Sequence, residues 1–103
     1  MKIGFEKRVG SAYSTSLVTV NNKAYFLNQP LTCIVNKEDD AFFVKSELLE
    51  IIGTGATLEE AEKDFNEEFD YIYTTYFSKA NSKLSTRLQR IKAILKVLVK
   101  EVK

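Results

Sequence analysis

The apolar and polar positions of this chain change their period once, near residue 57. Before that point, short runs rich in valine, threonine, tyrosine and phenylalanine alternate with turn residues, as is typical of strands. After it, apolar residues recur every three or four positions, which predicts amphipathic helices. The pattern predicts an α+β fold in which an antiparallel sheet of four or five strands packs against an amphipathic helix, followed by a C-terminal helix.

Two hairpins are predicted in the N-terminal half. The first joins residues 16–20 and 24–27 through Asn21-Asn22-Lys23, because asparagine tolerates the left-handed backbone of tight turns. The second runs over residues 31–46 around the charged turn 37–40, whose acidic residues we interpret as solvated.

Three further segments are assigned less directly. Asn28-Gln29-Pro30 is predicted to interrupt the strands, because proline cannot donate a hydrogen bond in a ladder. Residues 3–9 are an additional strand candidate. Residues 47–53 are predicted to be a short strand or extended segment.

The first predicted helix runs from Thr57 to about Phe77, and the last from about Ser85 or Thr86 to Val102. The last helix repeats apolar residues at spacings of four and three, the a/d pattern of a helix packed along another helix. Such packing occurs either within one chain or across a dimer. The candidate dimer or partner surface is Leu88, Ile91, Leu95, Leu98 and Val102.

Composition lowers the expectation of catalysis. The 103 residues fit one domain, divided into a strand extension at 1–30, a core at 31–78, and a polar break with a helix at 79–103. The chain has no histidine and a single cysteine, Cys33, which we interpret as a buried apolar residue. No catalytic residue, cofactor or metal is therefore predicted. Short apolar runs and the absence of a signal-peptide pattern make the cytoplasm the expected location and a membrane partner unexpected.

Charge is segregated although the net charge is only +1. The first predicted helix carries seven acidic residues and one lysine, whereas residues 79–103 carry eight basic residues and one glutamate. One interpretation is that the two helices partly compensate each other. The other is that the last helix contacts nucleic acid. The candidate contacts are Arg87, Arg90, Lys92 and Lys96.

The segment IIGTGATLEE raises the question of a phosphate-binding loop. It lacks the third glycine of a dinucleotide fingerprint and the lysine of a P-loop, and acidic residues open the following helix. Thr57 and Glu60 instead fit a capping box, in which Glu60 reaches back to the N–H of Thr57. Gly53 and Gly55 are predicted to serve the turn into the helix.

The stretch SELLEIIGTGATLEEAEKDF resembles the HicB-like antitoxin family. That family's core reads approximately Pro-Asp-Leu-Pro-Gly, a short strand, Gly-Asp-Thr and then Glu-Glu-Ala in the helix. Glu47-Leu48, Gly55, Thr57 and Glu59-Glu60-Ala61 stand at the corresponding steps without a gap. Ser46, Glu50 and Ala56 depart from the pattern, and the resemblance covers residues 31–76.

The resemblance implies a partial ribonuclease-H-like core without a catalytic centre, assembled as a homodimer or a higher homo-oligomer. It also implies a protein that binds and blocks a small basic RNA-cleaving toxin. The DNA-binding motif found in many family members is not predicted, because only one helix follows the core. The leading hypothesis is a non-enzymatic, homodimeric HicB-like interaction module, either an antitoxin-like inhibitor or a solitary relative with another partner. The alternative is a nucleic-acid-binding regulatory protein that uses the basic C-terminal helix.

Overall fold

The computed structural model describes residues 12–103, and the strand candidate at residues 3–9 lies outside the described residues. The α+β class with an antiparallel sheet and two packed helices is confirmed. The elements are β1 (Ala12–Val20), β2 (Lys23–Glu38), β3 (Ala41–Ser46), β4 (Ile51–Gly55), α1 (Leu58–Tyr76), a 3-10 turn (Asn81–Lys83), α2 (Thr86–Leu98) and β5 (Val99–Val102).

Strands β1 to β4 are neighbours in chain order, and β5 adds to β2. Both predicted hairpins are present, and each turns on a residue with a left-handed backbone. Asn21 and Asp39 both have φ of 54°, a conformation that these short polar side chains tolerate. The turn residues therefore determine where the first three strands begin and end.

Strand β2 continues through Pro30, so the predicted interruption at residues 28–30 is wrong. The register with β1 shifts between the pairs Thr15–Leu31 and Leu17–Phe26, which leaves residues 28–30 outside all three ladders that β2 forms. Because no neighbouring strand requires an N–H at Pro30, the proline is accommodated without the loss of a ladder bond.

The two helices share one hydrophobic core with the sheet. Strand β2 contributes residues that alternate in burial. Helix α1 contributes an apolar stripe at spacings of three and four residues, of which Leu58 and Tyr76 are partly buried and the others buried: Leu58, Ala61, Phe65, Phe69, Ile72 and Tyr76. Cys33 is 1% exposed, as expected for a small apolar residue. Neither helix in residues 12–103 is long and apolar enough to cross a membrane.

The last helix ends at Leu98, four residues earlier than predicted, and the chain continues as β5. Val102 pairs with Tyr25, while Ala24 and Lys103 exchange backbone hydrogen bonds of 2.7 and 2.8 Å. The Asn28 side-chain amide donates to the carbonyl of Val97 at 2.8 Å and satisfies one of the free acceptors at the helix end. Valine is β-branched and favours strands, but the position of Val102 also fits a helical stripe. The apolar spacing alone therefore predicted a helix that is too long.

Candidate interaction surfaces

Hydrogen bonds between Glu60 and the residues that precede the helix fix the start of α1. The hydroxyl of Thr57 accepts from the N–H of Glu60 at 3.1 Å, as the capping box requires. The Glu60 carboxylate, however, accepts from the N–H of Ala56 at 3.0 Å and not from that of Thr57, so the return bond lies one residue earlier than predicted. The cap ties the helix to the end of β4.

The glycines have a different role from the predicted one. Both lie within β4, where the helix backbone approaches the strand closely. A Cβ at Gly53 would lie 2.3 Å from the nitrogen of Phe65, and one at Gly55 would lie 2.5 Å from the Cβ of Glu60. They are therefore required for helix–strand contact, and not for a special turn conformation.

One side of α1 carries a row of acidic residues, here called the acidic flank. It consists of the carboxylates of Glu60, Asp64, Glu67 and Glu68 and of the exposed Tyr71 at the end of the row, at spacings of three and four residues that place them side by side. Asp64 accepts from the N–H of Thr54 at 2.8 Å, which holds the flank beside β4. Glu67 and Glu68 form no ion pair with any residue of the described region. The flank therefore presents uncompensated negative charge on a firmly anchored helix.

An aromatic pair lies at the C-terminal end of the acidic flank. The rings of Tyr71 and Tyr76 meet edge to face with centroids 6.0 Å apart. A hydrogen bond with Tyr71 raises the pKa of Tyr76, and the nearby Glu68 carboxylate adds to the effect. The Tyr76 phenol is consequently neutral at physiological pH. Tyr71 is 53% exposed.

Asp70 belongs to a separate structural contact. Its carboxylate accepts from the Lys23 ammonium at 2.7 Å and from the Tyr25 hydroxyl, and the Tyr25 ring packs edge to face on Tyr73 with centroids 5.0 Å apart. Burial raises the pKa of Asp70, but the hydrogen bonds from Lys23 and Tyr25 outweigh it and hold that pKa below its usual value. This contact joins the first hairpin to α1.

The predicted dimer or partner surface on the last helix is wrong for three of its five residues. Ile91, Leu95 and Leu98 are at most 6% exposed and lie in the core of their own chain. Leu88 is partly buried against that core, and Val102 lies on β5 with 40% exposure. The a/d stripe therefore packs within the chain.

The candidate nucleic-acid contacts are largely engaged by the protein itself. Arg87 donates to the Glu50 carboxylate at 2.8 Å and to the Glu50 carbonyl at 3.1 Å, and Arg90 donates to the other carboxylate oxygen. Lys92 donates to a backbone carbonyl at 2.5 Å, whereas Lys96 is exposed. Three of the four side chains thus stabilise the fold.

Sequence reasoning missed this Glu50 clamp, formed by Glu50, Arg87 and Arg90. Glu50 has φ of 59°, a left-handed conformation that favours glycine, and glycine is the residue that the HicB-like pattern has there. Hydrogen bonds from Arg90 and then Arg87 lower the pKa of Glu50. The departure from glycine was the available signal, because a charged residue in that conformation requires compensating contacts.

The exposed side of α2 forms a shallow apolar depression of about 360 Å³, here called the α2 groove. It is lined by Gln29, Leu48, Arg90, Ala93, Ile94 and Val97, together with the buried Leu98. Leu48 and Val97 are 53% and 68% exposed. Ile94 and Val97 are apolar residues beside the a/d stripe in the sequence, but the contribution of Gln29 and Leu48 depends on tertiary packing.

No group of cysteine and acidic side chains within residues 12–103 is arranged to hold a metal ion. Comparison of the chain with protein-family models, curated proteins and solved structures finds no match in any of the three.

Proposed function

We propose that this protein is a non-enzymatic, HicB-like interaction module that binds and blocks a small basic RNA-cleaving protein. The acidic flank carries the proposal. Its carboxylates form a row on the outside of α1, and Glu67 and Glu68 have no ionic partner in the described part of the chain. Such a row complements a surface rich in arginine or lysine.

The composition of the flank favours a protein partner with guanidinium groups. Carboxylates accept paired hydrogen bonds from arginine, and an exposed tyrosine ring such as that of Tyr71 attracts a cation over its face. Because the cap and the Asp64 contact already fix α1, binding would require little ordering of the helix. Nucleic acid would be repelled by the same surface.

The family resemblance supports the same surface. Residues 46–65, which carry the resemblance, include β4, the helix cap and the first turns of α1, and they contain Glu60 and Asp64 of the acidic flank. The other flank residues follow on the same helix. The groups with shifted pKa, among them Asp70, Glu50 and Tyr25, take part in contacts that hold elements of the fold together. These roles favour binding over catalysis.

The proposal includes a homodimer, as the resemblance implies. Since Ile91, Leu95 and Leu98 are used within the chain, the dimer must form through other residues. We expect a solution mass of twice the 11.8 kDa of one chain in sedimentation equilibrium at micromolar concentration. A mass of one chain would contradict the dimer but not the acidic flank.

Affinity capture from cells of the source organism tests the partner. We expect the tagged protein to recover a small protein with an excess of lysine and arginine, released by salt. The double substitution Glu67→Lys/Glu68→Lys should reduce recovery at least about tenfold, because like charges then face each other. The matched control Glu38→Lys/Asp40→Lys makes the same change in net charge on the β2–β3 turn and should recover the partner normally.

Recovery of no basic protein by the unmodified chain would contradict the proposal. So would equal recovery by the flank variant and the control variant, since binding would then not depend on the acidic flank.

A further inference from the structure

The α2 groove differs in chemistry from the acidic flank. Its lining is apolar except for Gln29 and Arg90. The side chains of Val97 and Leu48 are 68% and 53% exposed. A contiguous exposed apolar surface with polar residues at its rim marks an interaction site, whereas single exposed apolar side chains do not. We propose that the α2 groove docks a short apolar segment of a partner protein that carries a carboxylate at one end.

The apolar lining of the α2 groove indicates which side chains of a partner fit it. The depression has a volume of about 360 Å³, and its lining is apolar apart from Gln29 and Arg90. Ile94 and Val97 on α2, together with Leu48 on the turn before β4, offer methyl groups and no hydrogen-bonding side chain. Leucine, isoleucine or phenylalanine side chains are therefore favoured over polar ones.

The carboxylate follows from the charge balance at the rim. Arg90 is the only charged side chain among the lining residues, and it shares the single carboxylate of Glu50 with Arg87. Two cations on one anion leave an excess positive charge. Arg87 would still hold Glu50 through its carboxylate and carbonyl oxygens if Arg90 turned toward a ligand. An acidic group can thus bind at Arg90 without leaving Glu50 unpaired.

The distance between Arg90 and the apolar residue Val97 sets the length of the partner segment. Arg90 and Val97 are seven residues apart on α2, which corresponds to about 10 Å along the helix axis. An extended chain covers that distance in about three residues. The occupant is therefore a segment in which an acidic residue and an apolar side chain are about three residues apart.

Amide NMR on the isotopically labelled full chain tests the proposal with three peptides. The probe is acetyl-Glu-Ser-Leu-Leu-amide, and its controls are acetyl-Lys-Ser-Leu-Leu-amide and acetyl-Glu-Ser-Ser-Ser-amide. We expect the probe to give saturable shifts at Gln29, Leu48, Ala93, Ile94 and Val97 in the millimolar range. The lysine peptide should bind about fivefold more weakly, and the serine peptide should not bind.

Substitutions test the apolar lining of the α2 groove and the charge of Arg90 separately. Leu48→Lys should abolish binding of the probe, whereas Ile52→Lys, which alters a side chain of nearly equal exposure on β4, should leave it unchanged. Arg90→Gln should remove the preference for the acidic peptide over the lysine peptide.

Three results would overturn the proposal. The first is the absence of saturable shifts at the α2 groove, and the second is equal binding of the three peptides. The third is a set of groove shifts that follow protein concentration without peptide, which would identify a second copy of the chain as the occupant. None of these results bears on the acidic flank.

Discussion

At the start of α1, single residues decide how closely the helix lies against β4. Gly53 and Gly55 provide the space, and the carboxylates of Asp64 and Glu60 accept hydrogen bonds from the N–H groups of Thr54 and Ala56, which hold the two elements together. The backbone of Phe65 would be within 2.3 Å of any Cβ at Gly53, so the contact leaves no room for another side chain there. The position of the acidic flank therefore depends on these few residues.

Gly53→Ala should destabilise the protein by about 3 kcal/mol, because backbone atoms of α1 cannot rotate away as a flexible side chain would. Urea unfolding followed by circular dichroism measures the change in free energy. Thr54→Ala is the neighbouring control, since the Thr54 side chain is exposed, and it should change stability far less. Equal losses at both positions would contradict the close contact.

At Glu50, a strained backbone and an ion-pair network occur in one residue. The two arginines hold the folded-state pKa of Glu50 below its ordinary value of 4.5. A carboxyl with a depressed pKa stabilises the fold at pH values above its unfolded pKa, and that contribution disappears as the pH falls through the folded pKa. The network is largely exposed, so salt should weaken it.

Comparison with Glu50→Gln across pH tests this network. We expect the unmodified protein to be more stable than the variant at pH 7, and the difference to shrink as the pH falls below the ordinary pKa of a glutamate. Unfolding free energies in urea at several pH values measure the difference. A difference that is constant with pH, or one that grows in acid, would contradict the clamp.

At the scale of elements, local chemistry determined what could be predicted. The hairpins at Asn21 and Asp39 and the cap at Thr57 depend on residues a few positions apart, and all three are present. The continuation of β2 through Pro30 depends on a register shift in β1, which no local pattern contains. The Glu50 clamp joins residues about 40 positions apart, and its two arginines were interpreted as nucleic-acid contacts for that reason.

The apolar stripe of the last helix shows the same limit. Its spacing predicted that one face is buried, and Ile91, Leu95 and Leu98 are buried, but spacing alone does not distinguish the chain's own core from a second chain. The valines after Leu98 satisfied the helical period while their side chains favour strands. Only pairing with β2 decides between the two structures.

Hydrogen exchange tests the assignment of β5. The N–H of Lys103 donates to the carbonyl of Ala24 at 2.8 Å, so its exchange should be slowed relative to an unstructured chain. The N–H of Ala24 donates back to Lys103 and should be slowed as well. Rapid exchange at both amides would contradict the pairing of β5 with β2.

At the scale of the whole molecule, the near-zero net charge conceals two surfaces of different chemistry. The acidic flank gathers carboxylates on α1, whereas α2 combines an apolar groove with the positive rim provided by Arg90. The proposed module therefore has one surface suited to a basic protein and another suited to an apolar, acidic segment. Substitutions in one surface should leave binding at the other intact.

Inhibition of RNA cleavage tests the central claim most directly. The basic protein captured by this chain is released by salt and incubated with a labelled single-stranded RNA, alone or with each form of the chain. We predict that the released protein cleaves the RNA, that the unmodified chain and Glu38→Lys/Asp40→Lys suppress cleavage, and that Glu67→Lys/Glu68→Lys does not. Absence of cleavage by the released protein, or equal suppression by the flank variant, would contradict the proposed function.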